Sequence, residues 1–262
     1  MSGQGENALL LAHVRDLLSR AENGEVTYTA YLTPREQLQL LRVLGNTRKD
    51  LLLDGGYAAA ERKRLFCLPP WMEGADQDSL DEWLAPVREE SLTALTLKGS
   101  GFVALSHRDY LGAILHLGIE REALGDLCVM GQHEAVLFCD RVMATFLAEH
   151  LERVANDAVR VSPTSLPSDF DGGRTFRTVQ DTVASPRADA VVAALANLSR
   201  ERACELFRRE LIEIDYEPVS KPDKPLSAGC VVTIRGKGKF ILRSLSEQTK
   251  KGRYRLVADQ YV

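Results

Sequence analysis

The feature that most constrains the fold is an alternation of short apolar segments and amphipathic segments between residues 91 and 163. The short segments have the length and composition of strands, whereas the amphipathic ones follow the period of a helix. The stretch Gly131–Glu134, which separates two of the apolar segments, is typical of a hairpin connection. In chain order, the predicted elements are a strand at 92–97, a helix at 110–118, strands at 126–130 and 135–139, a helix at 141–154 and a strand at 158–161.

This βαββαβ order is that of the ferredoxin-like, or split βαβ, arrangement, which many RNA-binding domains share. We therefore predict an α+β protein with a ferredoxin-like, RNA-recognition-like middle domain at residues 86–165. Domains of that kind stack bases on aromatic side chains of the central strands. The strand at 135–139 offers one aromatic residue, Phe138, which we expect to lie in the core instead. The middle domain is thus expected to bind RNA in another way, or to bind protein.

Residues 1–85 are predicted to form an N-terminal α/β subdomain. Its clearest element is a helix that begins after Thr33, because Pro34 suits the first helical position and Glu36 completes a capping box. The acidic stretch 73–83 is interpreted as a linker or a short helix. The other predicted elements are a helix at 7–20, one or two helical turns at 58–64, and strands at 50–53 and 65–68.

Residues 166–184 are predicted to form a linker followed by a strand. The stretch 162–174 is rich in turn-forming residues and has no hydrophobic period, whereas 175–184 alternates like a strand. A C-terminal domain is then expected at 185–262.

Positive charge is concentrated in the last third of the chain. Residues 187–262 hold 15 Lys and Arg against 10 Asp and Glu, whereas residues 1–186 hold 18 against 27. From Gly229 onward, eight basic residues stand against two acidic ones. A chain with a net charge of −4 that gathers its positive charge into one glycine-punctuated stretch has the electrostatic pattern of a polyanion binder.

The tail is predicted to fold as two helices followed by three strands. The helices are expected at 188–195 and 200–209, with Leu198-Ser199 offering the N-cap of the second helix. The strands are expected at 212–216, 229–234 and 240–245. The tail resembles the small RNA-binding domain first seen in ribosomal protein S-four, through Arg187-Ala-Asp189, Leu198-Ser-Arg200, Ala203, Leu206-Phe207, Ile212-Glu-Ile-Asp215 and Gly229-Cys-Val-Val-Thr-Ile-Arg235. The resemblance implies an S-four-like helix-helix-hairpin domain whose basic surface docks on structured RNA.

The chain departs from that family at three places. Glu210 stands where the family usually has Gly, Asp215-Tyr216 where it has Asn-Gly, and Gly229-Cys230 where it has Gly-Asp. Glu210 and Asp215 add negative charge beside the expected RNA surface. We expect these two residues to affect the affinity more than the fold.

A second resemblance extends over nearly the whole chain, to the bacterial YlmH family. It is carried by Gly55-Gly-Tyr57, Glu61-Arg62, Leu105-Ser-His-Arg-Asp-Tyr-Leu-Gly112, Leu117-Gly-Ile-Glu-Arg121, Gly125-Asp126, Arg235-Gly-Lys-Gly-Lys-Phe240 and Thr249-Lys-Lys-Gly-Arg253. In that family, an N-terminal region and an RNA-recognition-like fold precede an S-four-type domain. The resemblance implies a ribosome-associated protein that binds rRNA or tRNA on the large subunit. Some members support tailing of stalled nascent chains in ribosome-associated quality control, and the family is linked by gene neighbourhood to cell division.

The main candidate RNA-binding residues lie in the tail. The loop at 235–239 alternates glycine with basic residues, and 249–255 adds a second basic cluster. Glycine lets backbone N–H groups approach phosphate closely, while Lys and Arg supply the charge. The alternative is a solvated hairpin turn, since an isolated charge run usually lies on a solvated surface. The selected residues are Arg187, Ser199, Arg200, Arg235, Lys237, Lys239, Lys250, Lys251 and Arg253.

His107 and Arg108 are the candidates in the middle domain. Ser106 and Asp109 have the spacing of a capping box, which would place both candidates at an exposed helix start, in contact with RNA or only with solvent. The triplet His107-Arg108-Asp109 also resembles a kinase catalytic loop, but the required Asn and the glycine-rich loop are missing.

The sequence predicts no enzyme activity, no cofactor and no metal site. Its five cysteines are never spaced as Cys-x-x-Cys, which suits a reducing compartment. No apolar run approaches the about 20 residues of a membrane span, and the first residues lack the basic region of a signal peptide. We therefore expect a cytoplasmic protein, and we expect it to be a monomer. Two other functions stay open: an RNA-modifying enzyme, because S-four-like domains are often attached to such enzymes, and a protein adaptor linked to cell division.

Overall fold

A computed structural model describes residues 3–45, 47–248 and 252–262. The chain divides into two compact units, Met1–Gly173 and Arg174–Val262. Both combine helices with antiparallel sheets, which is consistent with the predicted α+β class. None of the helices within the described part of the chain is long and apolar enough to cross a membrane.

The first unit contains five α-helices among its described residues. They are α1 (Gly3–Glu22), α2 (Pro34–Leu44), α3 (Gln77–Ser91), α4 (His107–His116) and α5 (Arg141–His150). Its strands are β1 (Thr27–Tyr28), β2 (Leu51–Asp54), β3 (Arg64–Cys67), β4 (Thr93–Gly99), β5 (Leu127–Val129), β6 (Glu134–Cys139), β7 (Arg153–Val154) and β8 (Asp157–Pro163). The strands form two sheets, with the orders β1-β3-β2 and β5-β6-β4-β8-β7.

The N-terminal part of this unit confirms one sequence signal and corrects another. The capping box at Thr33 is confirmed, since its hydroxyl accepts from the Glu36 N–H and the Glu36 carboxylate accepts from the Thr33 N–H. The predicted helical turns at 58–64 are wrong. The backbone N–H groups of Glu61 and Arg62 donate to the carboxylate of Asp126 instead of to helical carbonyl groups.

The acidic stretch 73–83, interpreted as a linker or a short helix, enters α3 at Gln77, and this helix has 15 residues and continues to Ser91. Asp76 caps this helix by accepting from the Ser79 N–H, and Leu84 is fully buried. The many acidic side chains on the exposed positions obscured the hydrophobic period. Helix α5 is shorter than predicted, because it ends at His150 and the chain turns into β7.

The five-stranded sheet has a hydrophobic core on each of its faces. On one face, Leu95, Leu97 and Leu137 pack with side chains of α4 and α5. On the other face, Val136 and Phe138 pack with a cluster from the N-terminal part and from the segment after β8: Tyr31, Phe66, Leu68, Met72, Leu84, Leu92, Leu166 and Phe170. The segments predicted as an N-terminal subdomain and a middle domain thus share a core. The expectation that Phe138 lies in the core is confirmed, since it is 1% exposed.

The described residues of the second unit form a six-stranded antiparallel sheet with two helices on one face. The helices are α6 (Ala188–Ala196) and α7 (Arg200–Arg208). The strands are β9 (Phe176–Val183), β10 (Ile212–Ile214), β11 (Glu217–Pro218), β12 (Val231–Ile234), β13 (Gly238–Gln248) and β14 (Tyr254–Tyr261), in the order β11-β10-β12-β13-β14-β9. Helix α6 packs against α7, β9 and β12. Val191, Phe207, Val232, Phe240 and Leu256 are fully or almost fully buried in this core.

The sequence did not predict β14, and it grouped residues 166–184 as one linking segment. The structure divides that segment. Leu166 and Phe170 pack in the first unit, whereas β9 pairs with β14 along its whole length, from Phe176 opposite Tyr261 to Val183 opposite Tyr254.

Candidate nucleic-acid interface

Two of the predicted RNA-binding arginines are held by one carboxylate at the starts of α6 and α7. Arg187 immediately precedes α6, and Arg200 is the first residue of α7. The Arg200 guanidinium donates to the Asp189 carboxylate at 2.6 Å, and the Arg187 Nε lies 3.3 Å from the other oxygen. The Asp189 side chain is 6% exposed, whereas the arginine side chains are 46% and 53% exposed. Asp189 therefore anchors two cationic groups that face solvent.

The charge state of Asp189 follows from these contacts. Burial alone would raise its pKa, but the hydrogen bonds from Arg200 and Arg187, with their positive charges, outweigh burial and lower the pKa. The carboxylate is thus ionised at neutral pH, and the cluster of three residues carries a charge of +1. The sequence singled out Arg187 and Arg200 but not the anchoring role of Asp189. Its position two residues after Arg187 is the signal that was available.

Ser199 has a structural role as the N-cap of α7. Its hydroxyl accepts from the Arg202 N–H at 3.2 Å, which fixes the helix start and with it the backbone of Arg200. The prediction of an N-cap at this position is confirmed.

Arg235 and Lys237 lie in the three-residue loop that joins β12 to β13, and both are exposed. Gly236 between them has φ +80°, a left-handed conformation that glycine adopts without strain. Three hydrogen bonds hold the loop backbone: Arg235 N–H to Leu211 O, Lys237 N–H to Ile234 O, and the Gln260 side-chain amide to Lys237 O. The loop is therefore fixed while its two cationic side chains stay accessible.

The remaining predicted tail residues differ in their surroundings. The Lys239 ammonium lies 4.8 Å from the ring centroids of both Tyr216 and Tyr261. The Arg253 guanidinium donates to the backbone carbonyl of Thr182 at 2.5 Å, across the β14–β9 pair. Lys250 and Lys251 lie outside the described residues.

His107 and Arg108 begin α4 and are exposed, as predicted. The capping box is confirmed, because Ser106 and Asp109 exchange hydrogen bonds between side chain and backbone. Desolvation of the imidazole, and then the positive charge of Arg121, lower the pKa of His107. The imidazole is therefore neutral at pH 7, and Arg108 is the member of this pair that brings positive charge.

Several residues of the YlmH-like segments form a buried polar network in the first unit. The Asp126 carboxylate accepts from the Tyr57 hydroxyl at 2.7 Å and from the N–H groups of Glu61 and Arg62 at 2.8 and 2.9 Å. The Arg62 guanidinium donates to three backbone carbonyl groups, those of Tyr31, Arg121 and Leu124. These residues join the N-terminal segment to the sheet, so their role is structural.

Gly125 belongs to the same segments and permits a close contact. A Cβ atom at this position would lie 2.7 Å from the ring of Tyr31 and 2.9 Å from Cβ of Phe138. The described residues contain no group of three or more His, Cys, Asp or Glu side chains that could hold a metal ion.

Part of the chain matches a known family model, and most of the chain aligns with a described protein. Residues 91–168 match a family model described as "Putative RNA-binding domain in YlmH". The chain is homologous to the "Ribosome-associated protein quality control protein P2" of Bacillus subtilis, with 28% identity over 240 residues, which are 91% of this chain and 89% of that protein. The solved structure "Cell division protein ylmH from Streptococcus pneumoniae" is 17% identical, with a TM-score of 0.46 over 63% of this chain and 93% of that one. The expected resemblance to the YlmH family is thus confirmed for residues 91–168.

Proposed function

We propose that this chain is a non-enzymatic, cytoplasmic RNA-binding protein that binds ribosomal RNA or tRNA on the large ribosomal subunit. The observation that carries the proposal is the exposed basic loop at 235–237, in the same unit as the pair Arg187 and Arg200, which Asp189 holds half-exposed. Phosphate neutralisation by such groups supplies most of the sequence-independent affinity for nucleic acids. Anchoring by Asp189 limits the side-chain freedom that the arginines would lose on binding.

We propose that the second unit is S-four-like. Two helices followed by the β12–β13 hairpin support this assignment, as do the backbone angles at the departures from that family. Glu210, Asp215 and Tyr216 have φ values of +54°, +51° and +63°, and the family has Gly or Asn-Gly at these places. Gly and Asn are the residues that adopt this conformation most readily. The altered positions thus keep the backbone conformation that Gly and Asn favour.

We propose that residues 91–168 have the ferredoxin-like arrangement and contact RNA through loops or edges. The strand order β5-β6-β4-β8, with α4 and α5 on one face, supports the arrangement. In RNA-recognition domains, bases stack on the sheet face opposite the helices. Here the N-terminal segment covers that face around Phe138. Base stacking on that part of the sheet would require the N-terminal segment to separate from it.

A role in ribosome-associated quality control is the most specific form of the proposal. It is supported by the name of the Bacillus subtilis relative, which aligns with 91% of this chain. In that role the protein would bind a large subunit that carries a stalled nascent chain, while residues are added to the C-terminus of that nascent chain.

Co-sedimentation with purified large ribosomal subunits tests the proposed function. The variant Arg235→Gln/Lys237→Gln removes two loop charges, and Arg15→Gln/Arg35→Gln removes two exposed charges from α1 and α2 as a matched control. At moderate salt, we expect most of the loop variant to stay in the supernatant. The control variant should sediment with the subunits like the wild type. Equal binding of the wild type and both variants would overturn the proposal.

A further inference from the structure

The sheet of the second unit carries a cluster of aromatic and cationic side chains on the face turned away from α6 and α7. The cluster consists of Phe176, Tyr216, Lys239, Arg243 and Tyr261. Neighbouring residues of the same strands, such as Phe240 and Ala258, point to the opposite, helix-covered face. The aromatic–cationic cluster is therefore separate from the hydrophobic core.

The members of the cluster are in mutual contact. The Lys239 ammonium lies between two rings, 4.8 Å from the centroids of Tyr216 and Tyr261. The rings of Phe176 and Tyr261 meet edge to face with centroids 5.0 Å apart, and the Arg243 guanidinium lies 5.8 Å from the Phe176 ring. Phe176 is 39% exposed despite its size. Rings and cations thus lie side by side along a surface that solvent reaches.

The positive φ of Tyr216 indicates that its ring has a role other than stabilising the fold. Asp215 and Tyr216 form the two-residue turn between β10 and β11, and both have positive φ. A turn of this kind favours Asn-Gly, because other residues are strained there. Asp215 has a structural role, since its carboxylate accepts from the Val231 N–H at 2.9 Å. Tyr216 accepts a backbone conformation that glycine would adopt freely, and it places an aromatic ring beside Lys239.

The positive charge of the cluster and its position beside the basic loop indicate the kind of ligand. The cations at this cluster are Lys239, Arg243 and Arg174, whose guanidinium lies 5.9 Å from the Tyr261 ring. Among the described side chains, the acidic residues on the same face are Asp259, which pairs with Arg243 at 2.7 Å, and Glu213 on β10. The cluster also adjoins the basic loop, because Lys239 follows Lys237 by two residues in the β12–β13 hairpin. A positive surface with partly exposed aromatic rings fits unpaired nucleotides, whose bases stack on rings while cations neutralise phosphates.

We propose that the aromatic–cationic cluster binds a single-stranded RNA segment. Lys239 contacts a phosphate, and the rings of Tyr216, Phe176 and Tyr261 stack on unpaired bases. The inference rests on the proposed RNA-binding function and adds a second element that the protein recognises, next to the structured RNA bound by the arginine pair and the loop.

Fluorescence anisotropy with the full chain tests the inference. One probe is a labelled single-stranded oligouridylate of 12 nucleotides, and the other is an RNA hairpin with a fully paired stem. Tyr216→Gly removes a ring and relieves the strained turn, so it is not expected to unfold the protein. We expect Tyr216→Gly and Tyr261→Ala each to weaken single-strand binding about fivefold or more, as loss of one stacking ring does. Tyr261→Phe should bind within about twofold of the wild type, because the ring is retained.

The two probes separate this inference from the proposed function. We expect Tyr216→Gly to bind the paired hairpin like the wild type. The variant Arg235→Gln/Lys237→Gln should bind both probes more weakly than the wild type. If the wild type binds the hairpin, and Tyr216→Gly and Tyr261→Ala bind the oligouridylate as tightly as the wild type, the inference is overturned and the proposed function stands. If the wild type binds neither probe, both are overturned.

Discussion

Replacement of Asp189 by asparagine should destabilise the second unit. The side chain is 6% exposed and receives hydrogen bonds from two guanidinium groups, at 2.6 Å from Arg200 and 3.3 Å from Arg187. Hydrogen bonds to charged groups contribute about 1.5–3 kcal/mol, and the value is reduced where the partners are half exposed, as both arginines are. Asparagine keeps the shape but loses the charge. We therefore expect the free energy of unfolding to fall by about 1–2 kcal/mol at pH 7.

The loss should depend on pH in a defined direction. The pKa of Asp189 is lowered in the folded state, so its stabilising contribution is fully present above the pKa of the unfolded chain, near 3.9, and is lost as the pH falls through the folded-state value. Asparagine does not titrate. The difference between the wild type and Asp189→Asn should thus be constant above about pH 5 and should shrink at lower pH.

Amide hydrogen exchange of α6 and α7, followed by mass spectrometry at pH 7, reports the local stability, and urea titrations by circular dichroism report its pH dependence. Tryptophan fluorescence is an internal control, because both tryptophans, Trp71 and Trp83, lie in the first unit and should give an unchanged midpoint. Glu213→Gln, an exposed carboxylate on β10, is the matched substitution and should change stability little. A loss that is equal at pH 3 and pH 7, or equal in both variants, would refute the role assigned to Asp189.

Three further substitutions test the described contacts. Gly125→Ala should destabilise the first unit by about 1–3 kcal/mol, since its Cβ would meet Tyr31 at 2.7 Å, and a lower urea midpoint by tryptophan fluorescence would show it. Asp126→Asn should lower the free energy of unfolding of the same unit by about 2–3 kcal/mol, because its amide group would oppose one of the three donors; an unchanged urea midpoint would contradict this. Glu210→Gly should stabilise the second unit by about 0.5–1 kcal/mol by removing strain at φ +54°, and slower hydrogen exchange in α7 would support this.

Local signals in the sequence predicted much of the fold. The caps at Thr33, Ser106 and Ser199 depend on side chains within three residues of one another, and each forms as expected. The hairpin at 131–134 depends on a short turn-forming stretch between apolar strands and also forms. Elements whose stability depends on distant partners were missed. Strand β14 pairs with β9, which is more than 70 residues earlier, and the segment 58–64 has its backbone held by Asp126.

The candidate site was also predictable only where it depends on short sequence motifs. Arg187, Arg200, Arg235 and Lys237 belong to short motifs, and the structure leaves all four accessible to solvent. Arg253 lies in an equally basic stretch, yet its guanidinium donates a hydrogen bond to the backbone of β9. This contact depends on the pairing of β14 with β9, which are distant in sequence. The rings around Lys239 come from a turn and from the C-terminal strand, so no local pattern indicated them.

The salt dependence of RNA binding tests the central claim most directly. The dissociation constant of the full chain for purified large-subunit ribosomal RNA would be measured over a range of salt concentrations. Each phosphate contact contributes about 0.7–0.9 to the slope of log Kd against log salt. If Arg235 and Lys237 neutralise phosphates, Arg235→Gln/Lys237→Gln should reduce the slope by about 1 to 2, and Arg15→Gln/Arg35→Gln should leave it unchanged. An identical slope for the wild type and the loop variant would contradict the claim that this surface holds RNA.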